Sequence, residues 1–239
     1  MNTSQASHGP NRLGRLFDRT LGRWIPRWSA IPLIFSLVFE LMTYYVAKLL
    51  IAGQELHIVE LPIDRAIPQR YPWIAVYFGA YVFWGISFIL VARRGKLRFA
   101  SFFCANLWAL IVCGIVFVVY PTMIERPPLT GDGFWTRAMQ FLYDVDTPVN
   151  ILPSIHCMAS LLCALGLHSD HRLPVWYRGF TWVFALMVCA STLLVKQHCV
   201  VDVVCGCLVA AVAYAFFCCL SCQPVAYAFE WVERKVFGG

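Results

Sequence analysis

Six separate stretches of this chain stay apolar for close to the ~20 residues that a helix needs to cross a hydrocarbon core roughly 30 Å thick. They run over about 30–52, 72–93, 99–120, 154–169, 176–197 and 199–221. Hydrocarbon offers no partners to backbone N–H and C=O groups, so such runs must be helices. The predicted fold class is all-α, a six-transmembrane-helix bundle over 30–222. A composition of 60% hydrophobic and 13% charged residues excludes an ordinary soluble domain.

The net charge of +6 does not imply nucleic acid, because the basic residues flank or join the apolar runs. Arg12, Arg15, Arg19, Arg23 and Arg27 alternate with Leu, Phe and Trp in a 1–29 segment that reads as an amphipathic helix on an anionic membrane face. Its arginines and the long run behind them argue against a cleavable signal peptide. "RRGKLR" joins the second and third runs, "HSDHRLPVWYR" joins the fourth and fifth, and "ERK" lies in a polar 223–239 tail. The excess of positive charge on one side predicts cytoplasmic termini and an extracytoplasmic face for the other connections. Most of the eleven cysteines fall inside apolar runs and read as small packing residues, with no disulfide or zinc framework.

Three polar clusters belong to that opposite face: "YPTMIERPP" (120–128), "PSIHCMAS" (153–160) and "KQHCVVD" (196–202). His198 and Asp202 are four apart, so a helix running from about 199 would stack them on one side of its first turn. A carboxylate there fixes the imidazole tautomer and raises its basicity. His156 opens the fourth run behind Ser154, which can cap the helix and donate to an anion held at its positive end. Arg126 and Lys196 add cations. Two histidines, a carboxylate, two cations and a helix N-terminus suit phosphoryl transfer, one histidine attacking phosphorus and the other protonating the leaving oxygen. Two histidines and a carboxylate also suit a metal, but the adjacent cations disfavour one, and no cofactor is expected. Tyr120, Gln197 and the mid-run Glu40 are further candidates for substrate contact. For Glu40 a partnered structural role is the equal alternative. Asp132, Asp144 and Asp146 read as solvated loop residues, with contact to a head group the alternative, and Trp135 and Phe141 as interfacial anchors rather than lipid-binding residues, near a short helix at about 134–143. His57, His168 and His171 receive no role.

In order and position, "RP" at 126–127, "PSIH" at 153–156 and "HCVVD" at 198–202 resemble the motifs KxxxxxxRP, PSGH and SRxxxxxHxxxD of the type 2 phosphatidic acid phosphatase superfamily. The branch that looks nearest includes fungal inositol phosphorylceramide synthase and many small bacterial membrane phosphatases. The resemblance implies a metal-independent lipid phosphatase. It makes His198 the nucleophile that becomes a phosphohistidine, Asp202 its orienting partner and His156 the general acid. Arg126 and the backbone around Ser154 would hold phosphate. Val119 and Thr192 stand where the motifs carry Lys and Arg, and Ile155 replaces a Gly; Lys196 is the expected substitute cation. A phosphotransferase moving a head group between lipids and a non-catalytic phospholipid transporter are the alternatives. The expected partners are a phosphorylated lipid and the bilayer.

Overall fold

The computed structural model describes residues 9–238. Residues 1–8, the start of the expected 1–29 segment, and residue 239 lie outside the described residues. Among those described, the helices are α1 (Arg12–Thr20), α2 (Ala30–Leu50), α3 (Pro62–Ala66), α4 (Ile74–Ala92), α5 (Lys96–Val119), α6 (Phe134–Val145), α7 (Ile155–His168), α8 (Val175–Leu194), α9 (Val200–Cys219) and α10 (Gln223–Phe237). One short parallel pair, β1 (His57–Ile58) with β2 (Thr122–Met123), departs from a purely α architecture.

Five helical segments are long and apolar enough to cross a membrane: Arg27–Leu50, Tyr71–Ala92, Lys96–Val119, Val175–Leu194 and Val200–Cys219. The architecture is that of a multi-pass membrane protein. The sixth expected span is shorter than the sequence suggests. Helix α7 has 14 residues, about 21 Å at 1.5 Å per residue. It is also the helix least available to lipid: nine of its 14 residues are buried, against four of 21 in α2. Helices α4, α5, α8 and α9 surround it. A helix wrapped in other helices has its polar ends covered by protein, so it need not match the hydrocarbon thickness.

Small residues let these helices approach closely. Gly206 of α9 faces the turn before α7, where an added Cβ would stand 2.4 Å from the carbonyl oxygen of Ser154. Trp84 of α4 reaches α7 by donating its indole N–H to Ser160 Oγ at 2.8 Å, satisfying two buried polar groups at once.

The two ends of the bundle differ. At one, Arg93 donates to the carbonyls of Arg23 and Trp24, Arg172 donates to the carbonyl of Arg93, and Lys96 pairs with Glu230 at 2.8 Å. All four basic segments singled out in the sequence meet there. The segment read as a polar tail is mostly helix α10, because Val225, Ala226, Phe229 and Phe237 fall at spacings that pack inward. Phe237 meets Phe17 of α1, and its carbonyl accepts the backbone N–H of Asn11 at 2.9 Å. The opposite end gathers the 51–71 loop, the 120–153 loop and the α8–α9 junction.

Two outcomes follow. Gly206→Ala forces backbone apart at Ser154 and should cost about 1–3 kcal/mol, as overpacked cores do, read as a lower Tm in detergent. At the basic end, hydrogen bonds from Arg172, partly offset by burial, hold the Asp170 carboxyl below its usual range. A depressed carboxylate contributes stability above its unfolded pKa, about 3.9, and loses it as pH falls through the lower folded value. The Tm gap between the native chain and Asp170→Asn should therefore close as the pH is taken below about 4.

Candidate active site

The Ser154 turn joins the N-termini of two helices. Ser154 caps α7, its Oγ accepting the Cys157 N–H at 3.3 Å, while its own N–H donates to the Asp202 carbonyl of α9 at 3.1 Å. His156 therefore starts α7 beside the start of α9. The chain reverses between α8 and α9 over residues 195–199, with Lys196 at φ +56°, a left-handed value that a tight reversal requires. The Thr192 carbonyl receives the N–H groups of Gln197 and His198 at 2.9 and 3.2 Å. Together these contacts bring the His156 and His198 ring centroids to 6.0 Å.

His198 lies one residue before the N-cap Cys199, not on the first turn as the spacing suggested. Asp202, the third residue of α9 and fully buried, reaches back to it. Its Oδ2 accepts the Cys199 N–H at 2.7 Å and lies 3.5 Å from His198 Nδ1. That second distance is an ion-pair contact, longer than a hydrogen bond. Nδ1 faces Asp202, which leaves Nε2 as the ring nitrogen turned away from the carboxylate. His156 stacks on Tyr77 at 4.3 Å, with Tyr81 and Trp84 at 5.6 and 5.2 Å, and its buried Nε2 has no hydrogen-bond partner.

The two expected cations have different surroundings. Arg126 donates to the Asp146 carbonyl at 2.6 Å and to Gln197 Oε1, and it lies over the Tyr143 ring at 4.7 Å. Burial lowers its pKa, opposed by the charge of Asp146. Lys196 points its ammonium at the carbonyls of Asp64 and Ile67, at 2.7 and 2.6 Å. Those contacts brace the junction against the 62–67 segment, while Lys196 also lines a cavity beside Arg126 and His198. Neither motif gap is filled by a charge: Thr192 is buried with its hydroxyl on the Cys189 carbonyl, and Val119 is an exposed apolar residue ending α5.

His198 borders two cavities. The inner one, about 240 Å³, is lined by Glu40, Tyr44, Tyr81, Asp146 and His156, and by Gln197. The outer one, about 750 Å³, is lined by Glu60, Asp64, Arg65, Arg126 and Lys196. Ser154 is fully buried and lines neither, so its place here is the helix cap. Tyr120 is not brought to the site: it is exposed and stacked on His57 at 4.4 Å.

The fold gives two further residues partners that the sequence does not show. Asp146 is not a solvated loop residue; Tyr44 and Tyr77 donate to its two oxygens at 2.8 and 2.9 Å. Those partners are 102 and 69 residues away in sequence, beyond any local pattern. Asp64 accepts the Leu61 and Val200 N–H groups at 2.8 and 2.7 Å, tying α3 to the start of α9. The Pro62 and Asp64 spacing in "LPID" was a legible helix-start signal for it.

The PAP2 superfamily model matches residues 127–223, the stretch that carries most of this geometry. That stretch of the chain, somewhat under half of it, is similar to the PAP2 superfamily. The matched stretch contains His156, His198 and Asp202 and begins one residue after Arg126. An uncharacterized protein of Methanocaldococcus jannaschii is 23% identical over 191 residues, covering 79% of this chain and 77% of the relative. No solved structure matches. The PAP2 match does not reach α2 or α4, so Glu40, Tyr44, Tyr77 and Tyr81 come from outside the shared motif region.

Asp202→Asn keeps an oxygen for the Cys199 N–H and removes the charge behind His198. It should lower kcat by about 10–100-fold, the usual effect of losing a group that orients a histidine. A smaller change in KM than in kcat, with an unaltered melting curve, separates this from a folding defect.

Proposed function

We propose that this protein is an integral-membrane lipid phosphatase of the PAP2 superfamily, acting on a phosphate monoester or diphosphate. The observation that supports this most directly is the pair of histidine rings 6.0 Å apart, with Asp202 behind one of them and Arg126 lining the outer cavity that His198 also borders. In the first step His198 Nε2 attacks phosphorus and the bond from phosphorus to the lipid oxygen breaks. The proton on His156 passes to that oxygen, which leaves as the lipid alcohol, or as a lipid phosphate where the substrate is a diphosphate. Asp202 stabilises the positive charge that develops on the His198 ring. In the second step His156 takes a proton from water, whose oxygen attacks phosphorus. Inorganic phosphate is released, and both histidines return to their starting states. Arg126 faces the phosphate oxygens throughout.

Transfer to a second lipid shares the first step and replaces water with a lipid hydroxyl. The clustering of basic segments at the other end of the bundle supports a site opening on the extracytoplasmic side, with cytoplasmic termini.

Purified protein in EDTA should release phosphate from phosphatidic acid or a polyprenyl diphosphate, and vanadate should inhibit it. His198→Ala should lose at least about 10³-fold in kcat and His156→Ala about 10²–10⁴-fold. Full turnover by His198→Ala, or a strict metal requirement, would sink the mechanism.

A further inference from the structure

We propose that the inner cavity selects substrates that carry an ammonium group close to the phosphate, an inference that rests on the phosphatase reading. Glu40 sits in the middle of α2 and lines this cavity with His156 and His198. A carboxylate at that depth is costly unless something pairs with it. Among the described residues, none of the ion pairs involves Glu40 or Asp146. Arg126 donates to the backbone carbonyl of Asp146, not to its carboxylate. The cavity thus presents two carboxylates, neither in a salt bridge, with Asp146 held only by the hydroxyls of Tyr44 and Tyr77.

Its walls suit a cation in a second way. Tyr44, Tyr45, Phe78, Tyr81 and Trp84 all line it, and aromatic faces attract ammonium groups. A third observation points to a bound polar molecule. Asn150 and Gln197 line the same cavity and are each only 3% exposed. Both amide atoms of Asn150 and the Gln197 Nε2 have no hydrogen-bond partner, a situation that buried amides rarely tolerate without a ligand or water. Gln197 adjoins His198 and Arg126, at the phosphate end. Asn150 follows Asp146 and Thr147, at the carboxylate end. One head group with an anionic phosphate and a neighbouring ammonium meets both, and a volume of about 240 Å³ suits the head group rather than the acyl chain.

The test compares 2-aminooctadecyl 1-phosphate with its N-acetyl derivative on the full chain in detergent. The native protein should turn over the amine with at least about tenfold higher kcat/KM, near 1.4 kcal/mol of discrimination, and Glu40→Gln should bring the ratio close to one. Octadecylamine, which has no phosphate, should raise the native Tm more than N-acetyloctadecylamine does, a comparison that needs no variant. Equal kcat/KM for the two phosphates, or an undiminished ratio in Glu40→Gln, overturns the ammonium site while leaving the phosphatase reading intact. If no lipid phosphate is hydrolysed, that reading fails by itself. Equal thermal shifts from the amine and its acetyl derivative would then overturn the cavity assignment separately.

Discussion

The contact on which the site depends is a backbone one, where α9 lies against the turn that starts α7. Gly206 leaves room for the Ser154 carbonyl, and Ser154 donates its N–H to the Asp202 carbonyl. One seam therefore fixes the relative height of two helix N-termini, and each carries a histidine beside it. Beside the seam, the short α7 is enclosed by α4, α5, α8 and α9 and packs mostly against protein, so its length need not match the bilayer.

Around that seam the polar groups divide into two kinds. Asp64, Lys196, Trp84 and the Ser154 hydroxyl all have protein partners at hydrogen-bond distance. Each ties one element to another or closes a helix end. His156 Nε2, His198 Nδ1, the Asn150 amide and the Gln197 Nε2 have none. In a protein interior unpaired polar atoms are expensive, and these four residues all line the inner cavity. Arg126 belongs to both groups: its Nη atoms are held by Asp146 and Gln197, while its buried Nε is unpartnered.

The division also follows the chain. Residues 127–223, matched by the PAP2 superfamily, carry the two histidines and Asp202. Helices α2 and α4, outside that stretch, supply Glu40 and most of the aromatic wall of the inner cavity. The two histidines with Asp202 and the polar and aromatic wall of the inner cavity thus come largely from different parts of the sequence. A superfamily match of this extent thus speaks to the reaction and not to the head group.

Much was legible in the residues alone. Hydropathy located every apolar helix to within a few residues, because a nonpolar run of that length has few other solutions. The three motif segments were identifiable because ionisable groups stand out in an apolar chain. Length could not show that α7 is enclosed, since its hydropathy resembles that of a lipid-facing helix. The bonds from Tyr44 and Tyr77 to Asp146, and the turn of Lys196 toward Asp64 and Ile67, join residues 69 to 132 positions apart. Which chemistry the chain carries was set by local pattern: a histidine, a carboxylate four residues on, and a second histidine behind a helix cap. Where those groups meet, and what else faces them, was decided by packing, because only packing brings distant helices within hydrogen-bond reach.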